Sequence, residues 1–341
     1  MFRCTRLSAF LLLAGLTQAA AAAATDRASV IDRVVAHLHA SYIDAGQAAR
    51  LGALLRRADF SAMADDAAFA RAVSARMQEV TQDQHLRLLH EAQPSPAPQS
   101  GAPTSAEIAQ RQASLRADNF GIDRVERLPE NIGYLKTSYF APASEAGPSV
   151  AAAMTLLAHT RALIIDLRDN GGGAPDGVPL LASYLFDRRT RLGDFYTREG
   201  DLTDQQWTYP AVAGSHFGAT KDVYILTSKD TFSAAEGLTY ALKNLKRATI
   251  IGETTRGGAH PARIKRIDGH FTLMVPVSIV RDAVTGTDWE GVGVAPDLAV
   301  PAADALRRAQ QVILEKLLAH EQDAKRRTDI RQRLDTLSGR D

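Results

Sequence analysis

The sequence predicts an α/β fold with a largely parallel central sheet, preceded by a small N-terminal helical domain. Three observations carry this. Almost wholly apolar runs at 162–167, 222–227 and 248–252 suit strands buried on both faces. Segments of helical character lie between these runs, the alternation that builds a parallel sheet. Before residue 90 the apolar residues recur at helical spacing. Composition agrees: 341 residues, 45% hydrophobic and 23% charged, belong to a folded globular chain long enough for about two domains. Lys+Arg number 40 against 39 Asp+Glu, a net charge of +1, so no nucleic-acid partner is expected.

The elements follow in order. Residues 1–24 read as a signal peptide: Arg3 and Arg6, an apolar stretch at 7–16 too short to span a bilayer, then small residues with Ala-x-Ala sites at 20–24. The alternative is an uncleaved anchor. Cleavage implies export, periplasmic or secreted, and leaves 38 basic against 39 acidic residues once Arg3 and Arg6 are gone. No later run reaches the ~18 apolar residues of a spanning helix, so no stable membrane insertion is expected. The one cysteine, Cys4, lies in this leader, which excludes a disulfide framework and a multi-cysteine zinc site.

Residues 25–92 form the helical domain, with Val30, Val34, Val35 and Leu38, then Leu51, Leu54 and Leu55, then Phe69, Val73 and Met77 at helical spacing. Pro94, Pro96, Pro98 and Pro103 mark a linker over 93–116 that ends in a short helix near 106–116. The α/β core, 117–312, reads as strand 132–138, helix 149–159, strand 162–167, helix 176–186, strand 222–227, helix 233–245 and strand 248–252. A hairpin over 263–280 turns at Asp268-Gly269. An amphipathic helix occupies 302–320, and 313–341 is assigned as a polar C-terminal helical tail, its last residues a solvated face.

Chemistry concentrates at four places. Asp166-Leu-Arg-Asp-Asn170-Gly171-Gly172-Gly173 sets three glycines between a buried strand and a helix, where backbone N–H groups can turn toward a ligand. A phosphate cradle and an oxyanion hole compete for such a loop. The glycines lack the G-x-G-x-x-G spacing, and no Gly-Lys-Ser/Thr follows, which favours the oxyanion hole. Thr231-Phe-Ser233-Ala234-Ala-Glu236 puts Ser233 at a helix N-terminus, where developing negative charge is favoured; plain N-capping with Glu236 in a capping box is the competing account. A serine needs a base. His85 ends the helical domain, where a junction can deliver it into a cleft, but spacing alone does not choose among the nine histidines. His37 and His39 are two apart on a helix and face different ways, and no HExxH occurs, so no metal site or cofactor is expected. Finally, Thr285-Gly-Thr-Asp-Trp289-Glu290-Gly sets an acid in a glycine-rich turn beside a tryptophan, suited to orienting a histidine or to a plain surface loop.

Together these stretches resemble the tail-specific, C-terminal-processing serine peptidase family, nearest its branch with the tricorn protease core and the interphotoreceptor retinoid-binding protein modules. The resemblance rests on Asp83-Gln-His85-Leu, on 162–173, on 231–236, on Gly252-Glu-Thr-Thr-Arg-Gly-Gly-Ala-His260 and on Trp289-Glu-Gly-Val-Gly-Val-Ala-Pro-Asp297, in family order. It implies a crotonase/ClpP-like core and hydrolysis of a peptide or protein substrate. Ser233 matches the nucleophile; Gly172 and Ala234 match the oxyanion donors, with Gly171 and Gly173 beside them. Where many members carry a lysine base, this chain has Arg256-Gly257-Gly258. Arginine stays protonated and is a poor base, which directs the match to the branch using a histidine from the preceding domain: His85, with Glu290 as its acid. The branch's serine beside that histidine is Gln84 here. About 45 residues separate His85 from Ile132, too few for a PDZ domain. The alternative function is a non-catalytic binding module for an apolar ligand on the same fold.

Overall fold

The computed structural model describes residues 26–93 and 104–339. The signal-peptide reading and most of the proline-rich linker lie outside the described residues. Three helices come first: α1 (Arg27–Ser41), α2 (Ala45–Arg57) and α3 (Asp66–Thr81). Asp26, Asp44 and Asp65 cap them, each side chain accepting a first-turn backbone N–H. The helices do not close a core on themselves. After α3 the chain enters β1 (Arg87–His90), and α4 (Ser105–Ala117) follows under a Thr104–Glu107 capping box.

The core then runs β2 (Ile122–Leu128), β3 (Ile132–Thr137), α5 (Ala143–Leu157), β4 (Ala162–Asp166), α6 (Gly177–Ser183), β5 (Arg191–Thr197), β6 (Leu202–Trp207), β7 (Asp222–Thr227), α7 (Ala234–Asn244), β8 (Thr249–Gly252), β9 (Ala262–Arg266), β10 (Phe271–Pro276), β11 (Ser278–Asp282), β12 (Leu298–Ala299), α8 (Ala305–His320) and α9 (Ala324–Ser338). Six strands form the central sheet in the order β12-β8-β7-β4-β3-β2. Every pairing is parallel except that of β2 with β3. Leu135, Leu163, Ile165, Val223, Ile225 and Ile250 bury one face in a cluster with residues of α5, α6 and α7. Tyr134, Ile164, Tyr224, Leu226 and Ile251 bury the other in a cluster with residues of α8 and α9. Two covered faces explain why these strands read as continuous apolar runs.

Several elements differ from the sequence reading. The hairpin is β9–β10 alone: β11, beyond Pro276, leaves for a second antiparallel sheet of order β11-β5-β6. β10 also pairs with β1, and Ile267, Phe271, Leu273 and Val275 sit in one cluster with Val30, Leu38, Phe69 and Met77. The helical lobe therefore completes its core with a hairpin from nearly two hundred residues further on. α5 starts at Ala143 and carries Pro148 inside it, while α6 is shorter than the span 176–186. The polar end of the chain is not wholly solvated, since Ile330 of α9 is fully buried in the cluster beneath the sheet. No helix among the described residues is long and apolar enough to cross a membrane.

Candidate active site

The glycine loop follows β4 and Ser233 follows β7, so both sit at the carboxyl edge of adjacent parallel strands, where open α/β sheets bind ligands. The loop is tied down from below. Asp166 is fully buried; it accepts the Tyr134 hydroxyl at 2.6 Å and pairs with Arg168 at 2.6 Å. Burial alone would raise its pKa, but the Arg168 and Tyr134 bonds outweigh that and hold it below the usual range. Asn170, also fully buried, donates to Thr137 O and Oγ1, and its own carbonyl accepts Phe232 N–H at 3.0 Å. The two strand-end loops are thereby stitched together.

Ser233 is the N-cap residue of α7, with φ 55° and ψ −119°, a strained conformation for a residue with a side chain. Its N–H donates to Glu236 Oε2 at 2.9 Å. Glu236 is fully buried and also accepts from Thr255 Oγ1 and the amides of Gly257 and Gly258, which fixes the β8–β9 loop against the mouth of α7. Gly172 packs flush on the turn: a Cβ there would stand 2.6 Å from Ser233 Cβ, and its φ is +103°.

His85 reaches this point from the helical lobe. Gln82 ends α3 in the left-handed region, and Asp83 Oδ1 then accepts His85 N–H at 3.0 Å, forming the turn that projects the ring. His85 Nε2 lies 3.0 Å from Ser233 Oγ. The ring stacks on Phe232 with centroids 4.5 Å apart. Burial, helped by the charges of His260, Arg87 and Arg256 and opposed by Asp83, pushes its pKa down to about 4. The imidazole is therefore neutral near pH 7, and its Nε2 faces the hydroxyl.

Glu290 lies beside this pair without a direct bond to His85. Its Oε2 accepts the Ala259 amide and, at 3.2 Å, the His260 amide. Its Oε1 and His85 Nδ1 are both buried and have no hydrogen-bond partner among the described residues. Burial and the Asp83 charge raise Glu290 to about 7. Asp83, His85 and Glu290 each offer a ligand atom within 4.8 Å of the others, the one cluster among the described residues with the spacing of a metal site. Asp83, in this cluster, and His260, beside it, belong to sequence motifs that assign neither a role, yet His260 Nδ1 lies 2.8 Å from Asp83 Oδ2.

The glycine amides differ in whether they are already engaged. Gly172 N–H donates to Asn170 Oδ1 at 2.9 Å and Gly171 N–H to Ser138 O at 3.2 Å, so both are committed within the fold. Among the described residues, the amides of Gly173 and Ala234 carry no hydrogen bond, and both residues line the cleft at Ser233. That cleft holds about 320 Å³ and is walled mainly by apolar side chains, among them Val178, Leu192, Phe195, Val280 and Trp289.

A helix-mouth serine beside an imidazole at the edge of a parallel sheet is a candidate nucleophile and base on an α/β fold. Residues 131–300 match the model of peptidase family S41, and the chain belongs to that family. It is 31% identical over 181 residues to the chloroplastic carboxyl-terminal-processing peptidase 2 of Arabidopsis thaliana; the match covers 50% of this chain and 32% of that relative, so the chain spans about a third of its length. Among solved structures, mature CPAF aligns over 85% of this chain and 97% of its own with a TM-score of 0.57 at 13% identity. The photosystem II D1 C-terminal processing protease aligns over 82% and 94% with a TM-score of 0.50 at 16% identity. These two share the fold.

Proposed function

We propose that this protein is an exported serine peptidase that hydrolyses peptide bonds of a peptide or protein substrate, with Ser233 as nucleophile and His85 as general base. The observation that carries the reading is the 3.0 Å approach of His85 Nε2 to Ser233 Oγ. Ser233 Oγ attacks the carbonyl carbon while its proton passes to Nε2. The imidazolium that forms carries a proton at Nδ1, and Glu290, which lies beside His85 with Oε1 unpartnered, takes it up through a small closure or one bridging water. The oxyanion takes the amides of Ala234, at the positive end of α7, and of Gly173. His85 then returns its proton to the leaving amine, and water clears the acyl-enzyme. The apolar cleft beside Ser233 receives a hydrophobic side chain of the substrate. Export follows from the leader at 1–24.

The test is turnover of an unstructured peptide substrate. Ser233→Ala is expected to abolish cleavage while the melting curve stays near wild type, and His85→Ala to lower the rate by orders of magnitude. Unchanged turnover in Ser233→Ala removes the mechanism. The same apolar cleft favours one other reading, a binding module for an apolar ligand. That reading expects a lipid-like molecule to co-purify and no peptide to be cut.

A further inference from the structure

His85 and Ser233 come from different parts of the molecule, so their contact depends on how the helical lobe seats on the core. One residue at that seam, His260, takes no direct part in the reaction above. His260, in the loop between β8 and β9, directs Nδ1 at Asp83 Oδ2 at 2.8 Å. Asp83 is 1% exposed, and its other oxygen accepts the backbone N–H of His85. On the opposite side His260 Nδ1 stands 3.7 Å from Glu290 Oε2, which also accepts the His260 amide. The contacts thus run from the turn carrying the base, through Asp83 and His260, to the loop carrying the acid.

Resting on the serine-peptidase reading, we propose that His260, as an imidazolium held between Asp83 and Glu290, is a positioning residue that clasps the His85 turn to the Glu290 loop. Two buried carboxylates this close need a compensating positive charge or a shared proton. The acidic groups acting on His260 are Asp83, Glu290 and Asp288, and His85 is the neighbouring imidazole. The neighbouring cations Arg87 and Arg256 act on His85 instead. The Tyr42 hydroxyl donates to the same oxygen, Asp83 Oδ2, at 3.5 Å. His260 Nδ1 engages Asp83 Oδ2 directly and stands between the two carboxyl groups. Gln84, standing where the related branch has a serine, accepts Arg87 Nε on its backbone carbonyl at 2.7 Å, and the contact from the His85 turn to the Glu290 loop is made by Asp83 and His260. A base displaced by about 1 Å loses up to ~100-fold in rate, which makes such a clasp worth a measurable factor.

The experiment is steady-state peptide hydrolysis by His260→Ala and His260→Gln, with melting curves recorded for each. His260→Ala is expected to lower kcat at least about tenfold with KM within about threefold, because His260 does not wall the substrate cleft. Glutamine keeps a donor toward Asp83 without the charge and is expected to fall between alanine and wild type, at least about threefold below wild type. A kcat for His260→Ala within about twofold of wild type, or a loss confined to KM, overturns the proposal. So does a glutamine variant equal to wild type, which decides the matter even where the alanine variant fails to fold. Ser233→Ala, run beside them, separates the two readings: cleavage by that variant defeats the peptidase mechanism, whereas an inert Ser233→Ala beside a fully active His260→Ala defeats only the clasp.

Discussion

Gly258 sets the spacing between the base and its platform, and Gly258→Ala perturbs that spacing by a known amount. A Cβ at this position would lie 2.2 Å from Phe232 Cε2, 2.6 Å from Phe232 Cζ and 2.9 Å from His85 Cε1. Ordinary contact begins near 3.4 Å, so the phenyl edge must retreat by about 1.2 Å and the imidazole by about 0.5 Å. The two rings are stacked, so displacing Phe232 carries His85 with it. Overpacking of this kind costs about 1–3 kcal/mol, offset by roughly 0.4–1 kcal/mol from the stiffer unfolded chain. A net loss near 1–2 kcal/mol corresponds to a Tm lowered by about 2–8 °C for a domain of this size. A base shifted by such distances is expected to lose about 10- to 100-fold in kcat. Differential scanning fluorimetry and peptide kinetics read both quantities. A kcat within about twofold of wild type together with an unchanged Tm refutes the placement of Gly258 beneath the His85–Phe232 stack.

Two further outcomes follow from the charges around Glu290. If the Glu290 carboxylate must take the proton at His85 Nδ1, kcat/KM rises with pH through about 7, and in Glu290→Gln the remaining acid limb is set by His85 at about 4, with a lower plateau; a profile from pH 4 to 9 checks this, and a limb near 7 that persists in Glu290→Gln contradicts it. In stability the two groups oppose each other. Glu290, raised to about 7 by burial and Asp83, stabilises the fold below pH 4.5 and loses that contribution as pH rises through 7; His85, lowered to about 4 chiefly by burial, stabilises above pH 6.5 and loses its contribution as pH falls through 4. Each effect is of the order of 3 kcal/mol and they cancel between about pH 4.5 and 6.5, so the Tm of Glu290→Gln is expected to climb across that window while wild type stays nearly level.

The central strands were legible because both sheet faces are covered, which leaves continuous apolar runs such as Leu163–Ile164–Ile165. The serine at the helix mouth and the histidine at the end of the helical block were legible as candidates from their surroundings, and motif order brought the pair together. β6 left no signal: Leu202–Trp207 is mostly exposed and polar, and its pairing with β5 is carried by backbone hydrogen bonds. The closing of the lobe's core by β10 was hidden by sequence distance. α9 docks through Ile330, with Leu334 and Leu337 packed beside it, three apolar residues in a polar run. Which amide of a Gly-Gly-Gly loop is free depends on where Asn170 and Ser138 point, and no spacing rule carries that information. The Asp83–His260 bridge joins residues 177 apart, each of which reads as an ordinary polar residue by itself.

The most direct measurement of the central claim is intact-mass and peptide-mapping analysis of the protein after exposure to a fluorophosphonate. The account expects one adduct, on Ser233, formed rapidly by wild type, slowed by orders of magnitude in His85→Ala and absent in Ser233→Ala. An unmodified Ser233 in folded wild-type protein, or an adduct that forms equally fast without His85, contradicts it.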